Sequence, residues 1–162
     1  MKAADIMNRD VVSVGADAVV SDVADALVKH GISALPVLGQ NGELLGIVSE
    51  GDLMRSAEGA LQQRRAWWLR LLATKEAFDP EFDPEYKRAK ARPVAEVMTR
   101  QVVTAEPETP VSGIAARLDR YAIKRVPIVS GGKVVGIISR VDLVKAVASI
   151  PKVIDEAAVV WG

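Results

Sequence analysis

Residues 44–54 read LLGIVSEGDLM, and residues 134–144 read VVGIISRVDLV. Each segment starts as an apolar run and reaches a serine that is followed three residues later by an aspartate. The apolar run predicts a buried strand. The Ser-x-x-Asp step predicts a helix start, because an N-cap serine accepts from the third backbone N–H while the acid reaches back to the cap. The same strand-to-helix junction therefore occurs twice in this chain.

The similarity extends outward from these two segments over most of the chain. A shift of 90 residues aligns the segments themselves, and a shift of 91 residues aligns the sequence before them. Met7 then falls on Met98, and Pro36 falls on Pro127. A nearly constant shift that aligns identical residues over tens of positions indicates an internal duplication.

Each copy predicts the order β-α-β-β-α. The first strand is expected at Val11 to Val14 in one copy and at Val102 to Thr104 in the other. Asp17 is a candidate cap of the helix that follows in the first copy, and Thr109 with Pro110 is the N-cap and N1 pair in the second. The strands are apolar almost throughout, which favours sheets covered on both faces. We therefore predict an α+β fold in which two pseudo-symmetric repeats pack through their sheets.

The motifs of the two copies resemble those of a tandem pair of CBS domains, also called a Bateman module. They are ADIM, GISALPV and GIVSEGDL in the first copy and AEVM, AIKRVPI and GIISRVDL in the second. On this resemblance the chain divides into a first repeat (2–57), a helical insert (58–91), a second repeat (92–149) and a tail (150–162). The insert is similar to the linker of stand-alone bacterial CBS pairs.

The resemblance implies a regulatory sensor that binds an adenosine-containing ligand (AMP, ADP, ATP, NAD or S-adenosylmethionine) in two clefts between the repeats. It also implies a homodimer and an effector protein that receives the signal. In each cleft the serine and the helix N-terminus would face the phosphate, and the aspartate would accept from the ribose hydroxyls. An isoleucine of the other repeat would cover the adenine.

Carried over position by position, the resemblance predicts two sets of ligand-binding residues. The first cleft would combine Ser139, Arg140 and Asp142 with Val11, Ile32 and Ser33. The second would combine Ser49 and Asp52 with Val102, Ile123, Lys124 and Arg125. Arg140 suits a phosphate whereas its counterpart Glu50 would repel one, so we expect the Asp142 cleft to be occupied first. The capping box alone remains a sufficient explanation of each serine and aspartate.

The composition argues against several other functions. The formal net charge is +0, so no global field attracts nucleic acid or an anionic membrane. The chain has no cysteine, which excludes thiolate metal sites. Its one histidine is His30, so no second histidine is present on which a Ser-His-Asp triad could be built elsewhere. We expect no enzyme, no covalently bound cofactor and no membrane or nucleic-acid partner. No apolar segment follows the amino-terminal lysine as in a signal peptide, so we expect a cytoplasmic protein.

One alternative function and the roles of the tryptophans in the insert and the tail stay open from the sequence. An assembly module with vestigial clefts would dimerise without responding to nucleotides. The stripe around Trp67 and Trp68 in the insert would pack on the module or on a dimer mate, or cover one cleft; a membrane contact is the weakest interpretation. Trp161 would dock on a neighbour or be disordered.

Overall fold

A computed structural model describes residues 1–61 and 84–150. The first repeat contains α1 (Ala3–Ile6), β1 (Val14–Gly15), α2 (Val20–His30), β2 (Ala34–Leu38), β3 (Leu44–Ser49) and α3 (Glu50–Leu61). After α4 (Pro84–Lys90), the second repeat contains α5 (Val94–Val97), α6 (Val111–Arg120), β4 (Arg125–Ser130), β5 (Lys133–Ser139) and α7 (Arg140–Ser149). The predicted α+β class is confirmed. Trp67, Trp68 and Trp161 lie outside the described residues.

Each repeat is built around an antiparallel hairpin. Strand β2 pairs with β3, and β4 pairs with β5 in the equivalent register, so that Pro36 lies opposite Ile47 and Pro127 lies opposite Ile137. β1 adds a third, parallel strand to the first sheet, whereas the second sheet has two strands. The turns use glycines with positive φ at Gly42, Gly131 and Gly132, a backbone region that side chains disfavour.

The first strand of each repeat differs from the prediction. In the first repeat it lies at Val14–Gly15, which overlaps the predicted Val11–Val14 segment at one residue. In the second repeat it is reduced to a single parallel bridge between Ala105 and Ile128, beyond the predicted Val102–Thr104 segment. The β-branched composition indicates an extended region in both repeats. Which residues of that region form strand pairs is decided by contact with the hairpin.

The helix starts also differ slightly from the sequence signals. α2 begins after Val19, whose N–H donates to the Asp22 carboxylate at 3.0 Å, so Asp17 does not cap it. α6 begins one residue later than expected, with Pro110 in the N-cap position. The Thr109 hydroxyl instead accepts from the Glu106 N–H in the preceding turn at 3.1 Å. The buried residues of these helices are Val23 and Leu27 in α2 and Ile114 and Leu118 in α6.

The amino-terminal segment of each repeat packs against the other repeat. These exchanged segments run from α1 to Asn8 and from α5 to Thr99. Asn8, just after α1, forms two backbone hydrogen bonds with Ile137 of β5, at 2.9 and 3.0 Å. Thr99, just after α5, forms the same pair of bonds with Ile47 of β3, at 2.9 and 2.8 Å. Each ADIM or AEVM motif therefore packs on the sheet of the other repeat. This exchange ties the repeats into one pseudo-symmetric unit.

The exchange is also visible in the two hydrophobic cores. The core of the second repeat includes Ala3 of α1, which is fully buried, and Met7 packs against it. The core of the first repeat includes Val94 and Met98 from the α5 segment. Because each core contains residues from both repeats, neither repeat buries its apolar surface without the other.

Candidate functional site

The two Ser-x-x-Asp junctions fold as capping boxes. Ser49 donates to the Oδ2 atom of Asp52 from its backbone N–H (2.9 Å) and from its hydroxyl (3.0 Å), and the Asp52 N–H donates back to the Ser49 Oγ (3.2 Å). Ser139 and Asp142 repeat this arrangement at 2.7, 2.8 and 3.4 Å. Each box fixes a serine hydroxyl, a carboxylate and the first turn of a helix relative to one another.

The Asp52 carboxylate lies in a more enclosed environment than that of Asp142. Asp52 is 7% exposed, and among the residues whose burial the structure describes it is the one charged residue that is buried. Its Oδ1 accepts from Arg55 at 2.5 Å and from the Thr99 hydroxyl at 3.3 Å. Burial of a carboxylate is tolerated when charge-assisted hydrogen bonds compensate for lost hydration. Thr99 belongs to the exchanged segment, so the second repeat completes this site.

A cavity of about 670 Å³ opens beside Asp52, between the two repeats. The first repeat contributes the junction from Ser49 to Asp52, together with Ser33. The second repeat contributes Val102 and the stretch from Ala122 to Arg125. All residues predicted for the second cleft therefore line this one cavity, and they are Ser49, Asp52, Val102, Ile123, Lys124 and Arg125. Its walls combine apolar side chains, a helix N-terminus and both signs of charge.

Arg125 links the two repeats at the edge of this cavity. Its guanidinium donates to the Ala34 carbonyl at 3.2 Å and to the Ser33 hydroxyl. Burial lowers the pKa of Arg125, and the charges of Glu50 and Asp142 partly offset this effect. The group remains a cation at neutral pH because arginine starts from a very high pKa. It therefore places a fixed positive charge where the two repeats meet.

Three of the residues predicted for the first cleft line one further cavity. Ile32, Ser33 and Ser139 line a second, more open cavity of about 770 Å³, which Arg125 and Glu50 also border. Val11, Arg140 and Asp142 are not among its lining residues. The exposed Arg140 side chain instead donates from its guanidinium to the Ile123 carbonyl, at 3.2 Å, within its own repeat.

Several residues of the Asp52 cavity were not predicted from the sequence. They are Thr99, Gln101 and Val103, which follow α5, then Ala122 before β4, and Met54 and Arg55 of α3. Arg55 had a visible signal, because a residue three positions after Asp52 lies on the same helix face. Ala122 has a positive φ of 50°, where the first repeat has Gly31 at 60°. The role of Thr99 required the segment exchange, which no local pattern reveals.

Comparison with known proteins decides the family. The model of the CBS domain matches residues 3–59 and again residues 94–149. The chain belongs to the CBS domain family. Its two matches make it a CBS pair, as the repeated motifs predicted, and both matched segments contain one of the capping boxes.

Relatives and solved structures agree with this assignment. The protein MJ1426 of Methanocaldococcus jannaschii is 34% identical over 149 residues, with 88% of each chain covered. The CBS domain structure of a CBS domain-containing membrane protein from Sphaerobacter thermophilus is 34% identical, with a TM-score of 0.69, and covers 90% of this CBS pair and 86% of that chain. The structure of CBSX2 in complex with AMP is 25% identical, with a TM-score of 0.69 and coverages of 92% and 97%.

Other curated relatives are much longer than this CBS pair. The chain spans 22%, 23% and 33% of the length of three of them.

Within residues 1–61 and 84–150, no helix combines the length and apolar character needed to cross a bilayer. The same residues contain no group of three or more His, Cys, Asp or Glu side chains arranged to hold a metal ion.

Proposed function

We propose that this CBS pair is a regulatory module, rather than an enzyme, that binds an adenosine-containing ligand in the Asp52 cavity. The observation that carries the proposal is the convergence on one cavity of a capped helix N-terminus, a buried carboxylate and an apolar wall from the other repeat. The AMP complex of CBSX2, which has the same fold, supports an adenine nucleotide as the ligand class. An unidentified effector protein would receive the signal.

The shape and chemistry of the cavity suit the three parts of such a ligand. Its volume of about 670 Å³ falls within the ~300–1,000 Å³ of typical small-molecule sites. Val102 and Ile123 offer apolar surface to an adenine ring. Asp52 offers a carboxylate to a ribose hydroxyl that takes the place of one of its present donors. In the first turn of α3 the N–H groups of Glu50 and Asp52 already donate to the Ser33 carbonyl and to the Ser49 Oγ, so this turn offers a phosphate the Gly51 N–H and the positive end of the helix dipole.

We propose the Asp52 cleft as the main ligand site, in contrast to the expectation that Arg140 would favour the Asp142 cleft. Arg140 is engaged with the Ile123 carbonyl and does not line the cavity to which Ser139 belongs. The repulsion expected from Glu50 is offset in the Asp52 cavity by Lys124 and Arg125. Two cations and an apolar wall together favour a nucleotide here.

Thermal unfolding against a ligand series tests the proposal. AMP, ADP, ATP, NAD and S-adenosylmethionine are compared, with GTP as the control for nonspecific phosphate binding. A ligand at about 100 times its Kd adds ~2.7 kcal/mol to the free energy of unfolding. For a chain of this length, that is a rise in Tm of roughly 5–10 °C. We expect at least one adenosine ligand to produce this rise and GTP to produce none.

The same experiment separates the sensor from an assembly module. Exposed apolar side chains on α7, namely Val141, Val144 and Val147, support a homodimer through this helix face. An assembly module alone would dimerise and leave the Tm unchanged by every nucleotide. If no adenosine ligand moves the Tm of protein that is free of co-purified nucleotide, the sensor proposal is wrong.

A further inference from the structure

The carboxylate of Asp52 has no acceptor position left for a ribose. Its Oδ2 accepts from the backbone N–H and the hydroxyl of Ser49, and its Oδ1 accepts from Arg55 and Thr99. An ionised carboxylate offers about four lone-pair positions in total. A ribose diol that binds Asp52 must therefore displace one of these donors.

Arg55 is the donor that can leave most readily. The bonds from Ser49 belong to the capping box that starts α3. Thr99 is held by its two backbone bonds to Ile47 in the exchanged segment. The Arg55 side chain is 66% exposed, whereas that of Asp52 is 7% exposed. The guanidinium can therefore turn into water, and a ribose hydroxyl that takes its place keeps the buried carboxylate hydrogen-bonded. We therefore expect Arg55 to be displaced before Ser49 or Thr99.

The position of Arg55 determines where its charge remains after it leaves Asp52. Its Nη1 lies 3.3 Å from the position that a Cβ of Gly51 would take, which places the guanidinium over the first turn of α3. Arg55 also lines the cavity together with Lys124 and Arg125. A guanidinium at this end of the cleft binds a phosphate with two parallel hydrogen bonds.

We propose that Arg55 makes the Asp52 cleft selective for adenosine ligands that carry a phosphate. A neutral nucleoside displaces Arg55 from Asp52 and provides no new partner for it. A nucleotide displaces the same guanidinium and provides its phosphate instead. This inference rests on the proposed function, since it concerns the same cleft, and it adds the class of ligand that the cleft accepts.

The second repeat provides a matched control. Lys145 occupies the position equivalent to Arg55, and Val141 occupies that of Gly51. Asp142 accepts through Oδ2 from Ser139, and in the described part of the chain no cation is paired with its Oδ1. Lys145→Gln removes a charge at the equivalent helix position without touching the Asp52 cleft.

Isothermal titration of AMP and of adenosine into the wild type, Arg55→Gln and Lys145→Gln proteins tests the inference. We expect Arg55→Gln to weaken AMP binding about tenfold, through loss of a charge-assisted contact. The same variant should bind adenosine about threefold more tightly, because the Asp52 oxygen becomes free. Lys145→Gln should leave the AMP-to-adenosine ratio of the wild type unchanged.

A higher Kd for AMP together with a lower Kd for adenosine is the result that identifies Arg55 as selective for a phosphate. If Arg55→Gln weakens both ligands equally, or changes neither, Arg55 does not select for phosphate, although the cleft still binds adenosine ligands. If AMP does not bind to the wild type at all, the proposed function fails, and the inference fails with it. Should Arg55→Gln unfold, Arg55→Lys retains the charge without the bidentate geometry and should keep a weaker preference for AMP.

Discussion

Asp52→Asn is expected to weaken AMP binding by about 100-fold. The substitution keeps the shape of the side chain but replaces a charged acceptor with a neutral amide. A hydrogen bond to a charged group contributes about 1.5–3 kcal/mol, and a ribose hydroxyl would make one such bond in the position that Arg55 leaves. A loss of about 2.7 kcal/mol corresponds to this change in Kd. Isothermal titration of both proteins under the same conditions measures it.

Asp142→Asn is the matched control for this prediction. It makes the same chemical change in the equivalent capping box, next to the cavity that gathers only part of its predicted residues. We expect its AMP affinity to stay within about threefold of the wild type. Equal losses in the two variants would mean that both clefts bind AMP equally well. A loss confined to Asp142→Asn would place the main site in the other cleft, against our proposal.

Gly46→Ala is expected to lower the free energy of unfolding by about 2–3 kcal/mol. A methyl group on Gly46 would lie 2.7 Å from the Sδ of Met98 and 2.8 Å from the backbone oxygen of Thr99. Thr99 is fixed by its hydrogen bonds to Ile47, so the clash falls on the bond pair that joins the repeats. In an uncrowded strand the same change would be stabilising, because glycine loses more backbone entropy on folding than alanine does. Chemical denaturation measures the difference.

Gly136→Ala makes the equivalent change in the second repeat with a different neighbour. The three atoms nearest to its new methyl group all belong to the Met7 side chain. A methionine adapts its rotamer more easily than a hydrogen-bonded backbone moves, so we expect a smaller loss, of about 1 kcal/mol. If Gly46→Ala were as stable as the wild type, the close packing of the exchanged segment on β3 would be wrong.

The duplication made most of the fold predictable from the sequence. The shift of 90 to 91 residues identified both hairpins, both pairs of helices and the capping boxes, since each signal was present twice. The first strands and two helix caps were placed less well. A strand of two residues, Val14–Gly15, is defined by what it pairs with, and its own composition differs little from that of the neighbouring Val11 and Val12.

The candidate site was predictable where it follows the motifs and unpredictable where it depends on the exchange. Asp52 and Ile123 lie in repeated segments, and the resemblance to CBS pairs was enough to assign them to one cleft. Thr99 completes the site only because α5 packs on the opposite repeat, a long-range arrangement that no local pattern encodes. The direction of Arg140 was likewise undetermined, because an exposed arginine can reach several carbonyls and its rotamer depends on the surrounding structure.

The most direct test of the central claim is a crystal structure of the chain grown with saturating AMP. Our account predicts electron density for one nucleotide in the Asp52 cavity, with adenine between Val102 and Ile123 and a ribose hydroxyl on the Asp52 carboxylate in the position that Arg55 leaves. The phosphate should lie at the first turn of α3. Density for AMP elsewhere, or a cavity without nucleotide at a concentration that saturates binding in solution, would contradict the account.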